Sequence, residues 1–261
     1  MLNLCESLDD ITALVGEIVE QADQLSLLPW TTETREFYTS ILDQWRHLNY
    51  QFNLWYSSLH EMVAVPFSAD KGISSADFDF GPSFTFHSSW VAQTLLLYWA
   101  GKLLLYEALR VALKWSQDWP AEESLTMNLE PLPAILSPEA QVMHDALIIG
   151  ALSTDLLLGL VLVQQSEYDA ARNVRKGMRY IWSSDIGMLP QFRAGTPLIV
   201  ATQYLRNVGD EQEVTYCAKA AKVFEDNQIA LGSFIESCAE AWGNPVQKKI
   251  PSEGLGLQEL G

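Results

Sequence analysis

The sequence has few cysteines and few basic residues for its length. Three cysteines, Cys5, Cys217 and Cys238, are spread over 261 residues, with no CxxC pair. An odd, widely spaced set argues against a disulfide framework or a zinc cluster and favours free thiols in a reducing compartment. Sixteen basic residues against 33 acidic ones give a net charge of −17. A surface this acidic repels phosphate groups, so we expect this chain alone to bind neither nucleic acid nor anionic membranes.

The sequence also lacks the motifs of common metal- and cofactor-dependent enzymes. It contains no Gly-rich phosphate loop, GxSxG elbow or HExxH pair. The pairs Asp9–Asp10 and Asp77–Asp79 lack the further carboxylates of the DDxxD and DxDD motifs of terpene cyclases. We therefore predict no metal and no cofactor. The N-terminus has no basic region followed by an apolar core, so it does not resemble a signal peptide, and we predict an intracellular, cytoplasmic protein.

What the chain does contain is a series of long segments with helical periodicity. Apolar residues recur every three or four positions in residues 2–25 and in an aromatic-rich segment, 33–59, that follows Thr32. The segment Ser88 to Leu113 is apolar on nearly every face, so we predict a buried central helix. Its run is too short for a membrane span, because four polar residues interrupt it: Gln93, Lys102, Glu107 and Arg110.

Further helices are predicted in the second half, at about residues 139–165, 166–182, 191–206 and 210–238. Pro197 lies within the third of these, as a kink or as its true start. Phenylalanines alternate with polar residues in 78–86, which predicts an extended segment without an evident partner strand. Long loops at 61–85 and 115–138 separate the helices, and 247–261 resembles a loose tail. The elements predict an all-α fold, with residues 1–261 as a single helical domain.

Isolated polar residues are the candidates for chemistry. Lys102 and Asp155 each interrupt a nearly all-apolar helix, and a lone buried charge is costly unless it has a partner. Each points into water at a helix edge, or the two meet each other or a ligand. His87, before the central helix, is a better acid/base candidate than His144, although His87 also suits a helix cap. We predict His87, Asp155 and Lys102 as catalytic residues.

An aromatic cavity is the other part of the predicted site. Aromatic walls, few polar groups and a long adjacent loop are common ingredients of small-molecule sites. The alternative is a solid core in which the same rings pack against one another. We predict an enclosed cavity for an apolar or polyaromatic molecule, with these ligand-binding residues: Trp45, Tyr50, Trp55, Phe84, Trp90 and Tyr98.

A basic helix face stands out in so acidic a chain. It is either ion-paired with neighbouring carboxylates or a docking face for an acidic ligand or partner. Gln191 and Arg193, beyond the next turn, would extend it. The face comprises Arg172, Arg175, Lys176 and Arg179.

Four stretches carry a family resemblance by their order: VAQTLLLYWAGKLLLYEAL at 91–109, AARNVRKGMRYIW at 170–182, GMLPQFRAGTPLIVATQYL at 187–205 and EVTYCAKAAKVFE at 213–225. Together they resemble the regulatory region of fungal-specific Zn2Cys6 transcription factors. The resemblance implies a helical domain that senses metabolites or partner proteins. The family's six-cysteine cluster and basic stretch are missing here, so its DNA-binding role carries over to no residue.

Two hypotheses for function follow. The first is a stand-alone protein of fungal secondary metabolism, similar to Diels–Alder-type pericyclases, that catalyses a metal- and nucleotide-independent cyclisation of an apolar intermediate. Such catalysis comes mainly from holding the reacting ends together. The alternative is a regulatory, ligand-sensing domain without its own DNA-binding part, which would act in the nucleus. A homo-oligomer is compatible with either hypothesis.

Overall fold

The computed structural model of the chain describes residues 2–70, 83–116, 156–181 and 188–226. The all-α fold predicted from the sequence is confirmed over these residues. The predictions for His144, Asp155, most of the second loop and the tail 247–261 lie outside the described residues. The described ranges hold six helices and one hairpin: α1 Leu2–Ser26, α2 Thr32–Met62, β1 Phe67–Asp70, β2 Ser83–Phe86, α3 Ser89–Ser116, α4 Leu156–Ile181, α5 Met188–Asn207 and α6 Glu211–Asp226.

Helix α3 is the centre of this arrangement, as the sequence predicts. It packs against α1, α2, α4 and α5, and most of its side chains are buried. Helix α4 approaches α3 closely at Gly177, where an added Cβ would lie 2.7 Å from Cδ2 of Leu96. Leu96 is fully buried, whereas Leu104 is only partly buried against the core. No helix in the described ranges carries an apolar stretch long enough to cross a membrane.

Hydroxyl side chains fix the starts of two of these helices. Thr31 caps α2 through a capping box, in which the Thr34 N–H donates to Thr31 Oγ1 at 3.2 Å and the Thr31 N–H donates to Thr34 Oγ1 at 2.8 Å. The predicted start signal, Thr32, is therefore one residue late. Ser88 Oγ accepts the Val91 N–H at 3.3 Å and so caps the start of α3.

The extended segment has a partner strand, which corrects the prediction that none is present. Strands β1 and β2 pair antiparallel, with Phe67 opposite Phe86 and Asp70 opposite Ser83. Strand β1 lies within the predicted loop 61–85, where four residues with one large apolar side chain give little strand signal. The hairpin packs its phenylalanines onto Trp99 of α3, with the Phe67 and Trp99 ring centroids 5.5 Å apart.

Helix α4 runs through the predicted boundary at residues 165 and 166, so the expected division into two helices is wrong. The polar run Gln164, Gln165 and Ser166 resembles a helix end in the sequence. In the structure the two glutamines are exposed, whereas the next residue, Glu167, is buried. The polar residues here are two exposed glutamines and a buried glutamate on one continuous helix, so they do not mark a helix end.

Candidate functional site

A stripe of polar and aromatic residues runs along one face of the central helix. Tyr98, Lys102, Tyr106 and Arg110 follow one another at four-residue spacing, which places successive members one above the next on the helix. The first three are buried and Arg110 is half-buried. This polar stripe bonds to α2 at Lys102 and to α4 at Arg110. The stripe therefore has a lysine end that contacts α2 and an arginine end that contacts α4.

Lys102 is buried between α2 and α3, with neutral partners. Its Nζ donates to Oδ1 of Asn49 and, at 3.3 Å, to Oδ1 of Asn53. The same nitrogen lies 4.9 Å from the centroid of the Tyr106 ring. Burial lowers the pKa of Lys102 to about 7, because the charged form loses its hydration. Asp155 lies outside the described residues, so its pairing with Lys102 stays a prediction.

Three of the predicted aromatic residues on α2 and α3, Trp45, Trp55 and Tyr98, are in contact with other rings. Trp55 and Tyr98 stack with centroids 5.4 Å apart, and Trp45 lies 6.1 Å from the ring of Tyr106. Tyr50 is buried on α2. Trp45 and Trp55 thus pack against tyrosines of the polar stripe. None of the four predicted residues lines either of the two pockets described below.

The other predicted site residues lie at the hairpin end of α3. Phe84 packs against Trp99, with ring centroids 5.7 Å apart, and Trp90 is half-buried in the first turn of the helix. His87 is exposed, and its backbone N–H donates to the carbonyl of Pro66 at 3.0 Å. At the helical rise per residue, His87 lies about 20 Å from Lys102 along the axis. The structure does not bring these two predicted catalytic residues together.

Glu167 of α4 is the buried charge at the other end of the polar stripe. Its side chain is 1% exposed, and its Oε1 accepts from Nε of Arg110 at 3.1 Å. Arg110 pairs with Glu107 as well. The second carboxylate oxygen of Glu167, Oε2, is buried without a hydrogen-bond partner in the described part of the chain. We call Glu107, Arg110, Glu167 and the adjacent Tyr204 the Glu167 cluster.

The pKa of Glu167 is displaced strongly upward within this cluster. Burial raises it to about 7, although the positive charge of Arg110 opposes the shift. The negative charge of Glu107 adds to the increase. Burial and the charge of Glu167 in turn raise the pKa of Tyr204. Near neutral pH, Glu167 therefore exists in both protonation states, which suits a general acid or base.

A pocket of about 520 Å³ opens beside the Glu167 cluster, between α4, α5 and the turn before α6. The Tyr204 hydroxyl donates to the Gln164 carbonyl at 3.1 Å, and the Tyr168 hydroxyl donates to Oδ2 of Asp210 at 2.6 Å. Gly209, with φ of 76°, allows the tight turn that closes one side. We call this the Tyr204 pocket, and its lining includes Val161, Gln164, Gln165, Tyr168, Tyr204, Val208 and Asp210.

The basic face predicted on α4 is engaged with neighbouring groups. Arg172 Nε donates to Glu213 Oε1 at 2.9 Å, and Arg175 Nε donates to Oε2 of the same carboxylate at 2.5 Å. Arg175 and Glu213 are both buried. Nζ of Lys176 lies 5.3 Å from the centroid of the Phe84 ring. The ion-paired alternative fits Arg172 and Arg175, which join α4 to α6 beside the Tyr204 pocket.

Thiol and metal chemistry have weak support among the described residues. Cys217 is a buried free thiol, and burial raises its pKa to about 11, so it is protonated at neutral pH. Reactive cysteines have lowered pKa values, so Cys217 is a structural residue. Within the described ranges, no group of three or more His, Cys, Asp or Glu side chains is placed to hold a metal ion.

Comparisons of the chain with protein-family models, with curated proteins and with solved structures find no match. The resemblance to transcription-factor regulatory regions therefore stays a prediction. Sequence reasoning missed Glu167 and Tyr204, although it identified their partner Arg110 as an interruption of the apolar helix. The spacing of Lys102, Tyr106 and Arg110 was the available signal, because residues four apart share a helix face.

Proposed function

We propose that this protein binds a small molecule in the Tyr204 pocket and that Tyr204 and Glu167 act on it by hydrogen bonding. The observation that carries this proposal is Glu167, a fully buried carboxyl with one oxygen lacking a partner among the described residues. Proteins satisfy nearly all their buried polar atoms. Buried ionisable groups that lack a partner and have a displaced pKa are concentrated at functional sites. Here the exception lies beside a tyrosine that lines a pocket of suitable size.

The two side chains can work as a donor relay. Protonated Glu167 donates to the Tyr204 oxygen, which leaves the Tyr204 hydroxyl proton free to point outward. In the structure the Tyr204 hydroxyl donates its hydrogen bond to the Gln164 carbonyl. A ligand carbonyl in the pocket would compete for the same donor. Such a donor stabilises negative charge as it develops on the ligand oxygen.

The relay is compatible with the cyclisation predicted from the sequence. A pericyclic reaction needs no net proton transfer, so a polarising hydrogen bond and a fixed orientation of the reacting ends are sufficient. Val161, Val208 and the tyrosine rings offer apolar surface, while Gln164, Gln165 and Asp210 add polar groups beside Tyr204. We therefore propose a carbonyl-bearing substrate with both apolar and polar surface, and no metal or cofactor.

Binding of a panel of aryl ketones, followed by the backbone amide signals of Val208 and Gly209, tests the proposal. We expect both signals to shift, because both residues line the pocket. Tyr204→Phe keeps the ring and removes the hydroxyl, so affinity should fall about 2- to 12-fold, the value of one hydrogen bond. Tyr216→Phe is the matched control, since among the described residues its hydroxyl accepts a hydrogen bond only from Nε2 of Gln212 on the same helix. It should leave the affinity unchanged.

Turnover separates the two hypotheses for function. Conversion of a diene-bearing enone, followed by mass spectrometry and lost in Tyr204→Phe and Glu167→Gln, would support the cyclase. Ligand binding without turnover would support the regulatory alternative, with the same pocket acting as a sensor. Equal ketone affinity in wild type and Tyr204→Phe, or shifts confined to residues remote from the pocket, would contradict the proposed site.

A further inference from the structure

A second groove, of about 410 Å³, lies between α1, α3 and α5 and shares no lining residue with the Tyr204 pocket. Its floor is apolar: Leu8 and Pro197 are buried, and Leu97 is half-buried. Asp9 of α1 and Arg193 of α5 are exposed at its edges. The volume falls within the range of small-molecule sites. The groove therefore combines an apolar base with two opposite charges.

Neither of these charges has a partner in the described part of the chain. Asp9 and Arg193 pair neither with each other nor with another described residue. By contrast, Arg110, Arg172 and Arg175 each bond to a glutamate. Two opposite charges that line one groove without pairing are complementary to a ligand that itself carries both charges.

Pro197 adds a hydrogen-bond acceptor at the same place. Helix α5 continues through Pro197, from Met188 to Asn207. Proline has no N–H, so the carbonyl of Arg193, four residues earlier, lacks its usual helix donor. Arg193 thus lines the groove and has a backbone carbonyl without its usual helix donor. The proline that the sequence places inside a helix has a chemical consequence here.

We infer that this groove binds a free α-amino acid with an aliphatic side chain. The Asp9 carboxylate and the Arg193 carbonyl accept from its ammonium group, and the Arg193 guanidinium donates to its carboxylate. The planar guanidinium fork matches a carboxylate in shape as well as charge. The aliphatic side chain lies on Leu8, Leu97 and Pro197. Recognition thus depends on both charges of the ligand together.

Four leucine derivatives separate these contributions in a titration at pH 6.5, with the backbone amide signals of Leu97 and Thr196 as reporters. L-leucine carries both charges, N-acetyl-L-leucine lacks the ammonium, L-leucinamide lacks the carboxylate, and N-acetyl-L-leucinamide lacks both. We expect L-leucine to bind most tightly. Removal of either charge should weaken binding about tenfold, because a charge-assisted hydrogen bond is lost.

Two variants assign each charge to its partner. Asp9→Asn should reduce the preference for L-leucine over N-acetyl-L-leucine, and Arg193→Gln should reduce the preference for L-leucine over L-leucinamide. Asp10→Asn and Arg206→Gln are matched controls, since both residues are exposed and line neither pocket. Both controls should retain the discrimination. Equal binding of all four probes, no shift with L-leucine up to its solubility, or unchanged discrimination in Asp9→Asn and Arg193→Gln would overturn the inference.

Discussion

At one end of the polar stripe of α3 a buried lysine is surrounded by neutral groups, and at the other end a buried glutamate is only half satisfied. Lys102 has two asparagine oxygens and a ring face. Glu167 has one arginine on one oxygen and no described donor on the other. The pKa of each is displaced to about 7, from opposite sides. The displaced pKa alone therefore does not distinguish a structural charge from a reactive one.

What distinguishes them is the surrounding geometry. The amide partners of Lys102 come from one neighbouring helix, and none of these groups lines a described pocket. Glu167 lies beside Tyr204, which does line one. A satisfied buried charge fixes the packing of two helices, whereas an unsatisfied one next to a pocket is available to a ligand. The following measurements test this difference, beginning with the largest expected effect.

The largest expected effect comes from the buried side chains of α3, the helix that carries the polar stripe. Leu96→Ala should lower the free energy of unfolding by ~2–5 kcal/mol, because Leu96 is fully buried and contacts α4 at Gly177. Leu104→Ala should lower it by less than about 2 kcal/mol, since Leu104 is only partly buried. Urea unfolding of both variants gives the comparison. Equal losses of unfolding free energy in the two variants would contradict the deeper burial of Leu96.

The pH dependence of stability should separate the two charges. The pKa of Glu167 rises from 4.5 to about 7 on folding, so the folded state binds more protons between these values. Its contribution to the free energy of unfolding therefore falls as pH rises from 4.5 to 7. The pKa of Lys102 falls from 10.5 to about 7, so the folded state binds fewer protons above pH 7. Its contribution therefore rises from pH 7 to 10.5.

Together the two groups contribute a minimum of stability near pH 7, with slopes of at most about 1.4 kcal/mol per pH unit for each. Glu167→Gln should remove the falling limb below pH 7, and Lys102→Met should remove the rising limb above it. Urea unfolding from pH 4.5 to 10 on all three proteins gives these differences. If the difference in unfolding free energy between wild type and Glu167→Gln stayed constant over pH 4.5–7, the prediction that Glu167 titrates while buried would be refuted.

Neighbouring charges should change the pKa of Glu167 and leave the pKa of Lys102 unchanged. Arg110→Gln should raise the pKa of Glu167, and Glu107→Gln should lower it, because Arg110 stabilises the carboxylate and Glu107 repels it. The pKa of Lys102 should change in neither variant, since its shift comes from burial. Carbon NMR of labelled glutamate and lysine side chains follows both titrations, and Glu211→Gln serves as an exposed-carboxylate control. Shifts of the same sign in the two variants would contradict the cluster.

The helices were predictable because their signal is local. Apolar spacing identified α1, α2, α3, α5 and the start of α6. Lys102 was recognised as needing a partner. That the partners are Asn49 and Asn53 follows from the way α2 packs on α3, which periodicity does not encode.

The Glu167 cluster was out of reach for a related reason. Arg110 and Glu167 are 57 residues apart in the chain, and their pairing depends on how α3 and α4 pack. In the sequence Glu167 follows three polar residues, so it resembles part of a solvent-facing boundary. Strand β1 was missed likewise, because its evidence is the pairing with β2. Local chemistry predicted which charges are unusual, and only tertiary packing shows which of them remains unsatisfied.

The register of the hairpin has a consequence for engineering this protein. Asp70 and Ser83 are opposed at the end of the two strands, so positions 70 and 83 lie next to each other. The entropy of closing a loop grows only with the logarithm of its length. A peptide tag or fluorescent reporter inserted between these strands would therefore leave the paired ends in register. Phe67 and Phe86 anchor the hairpin on Trp99 at its far end, which makes this a favourable position for attaching a reporter to the core helix.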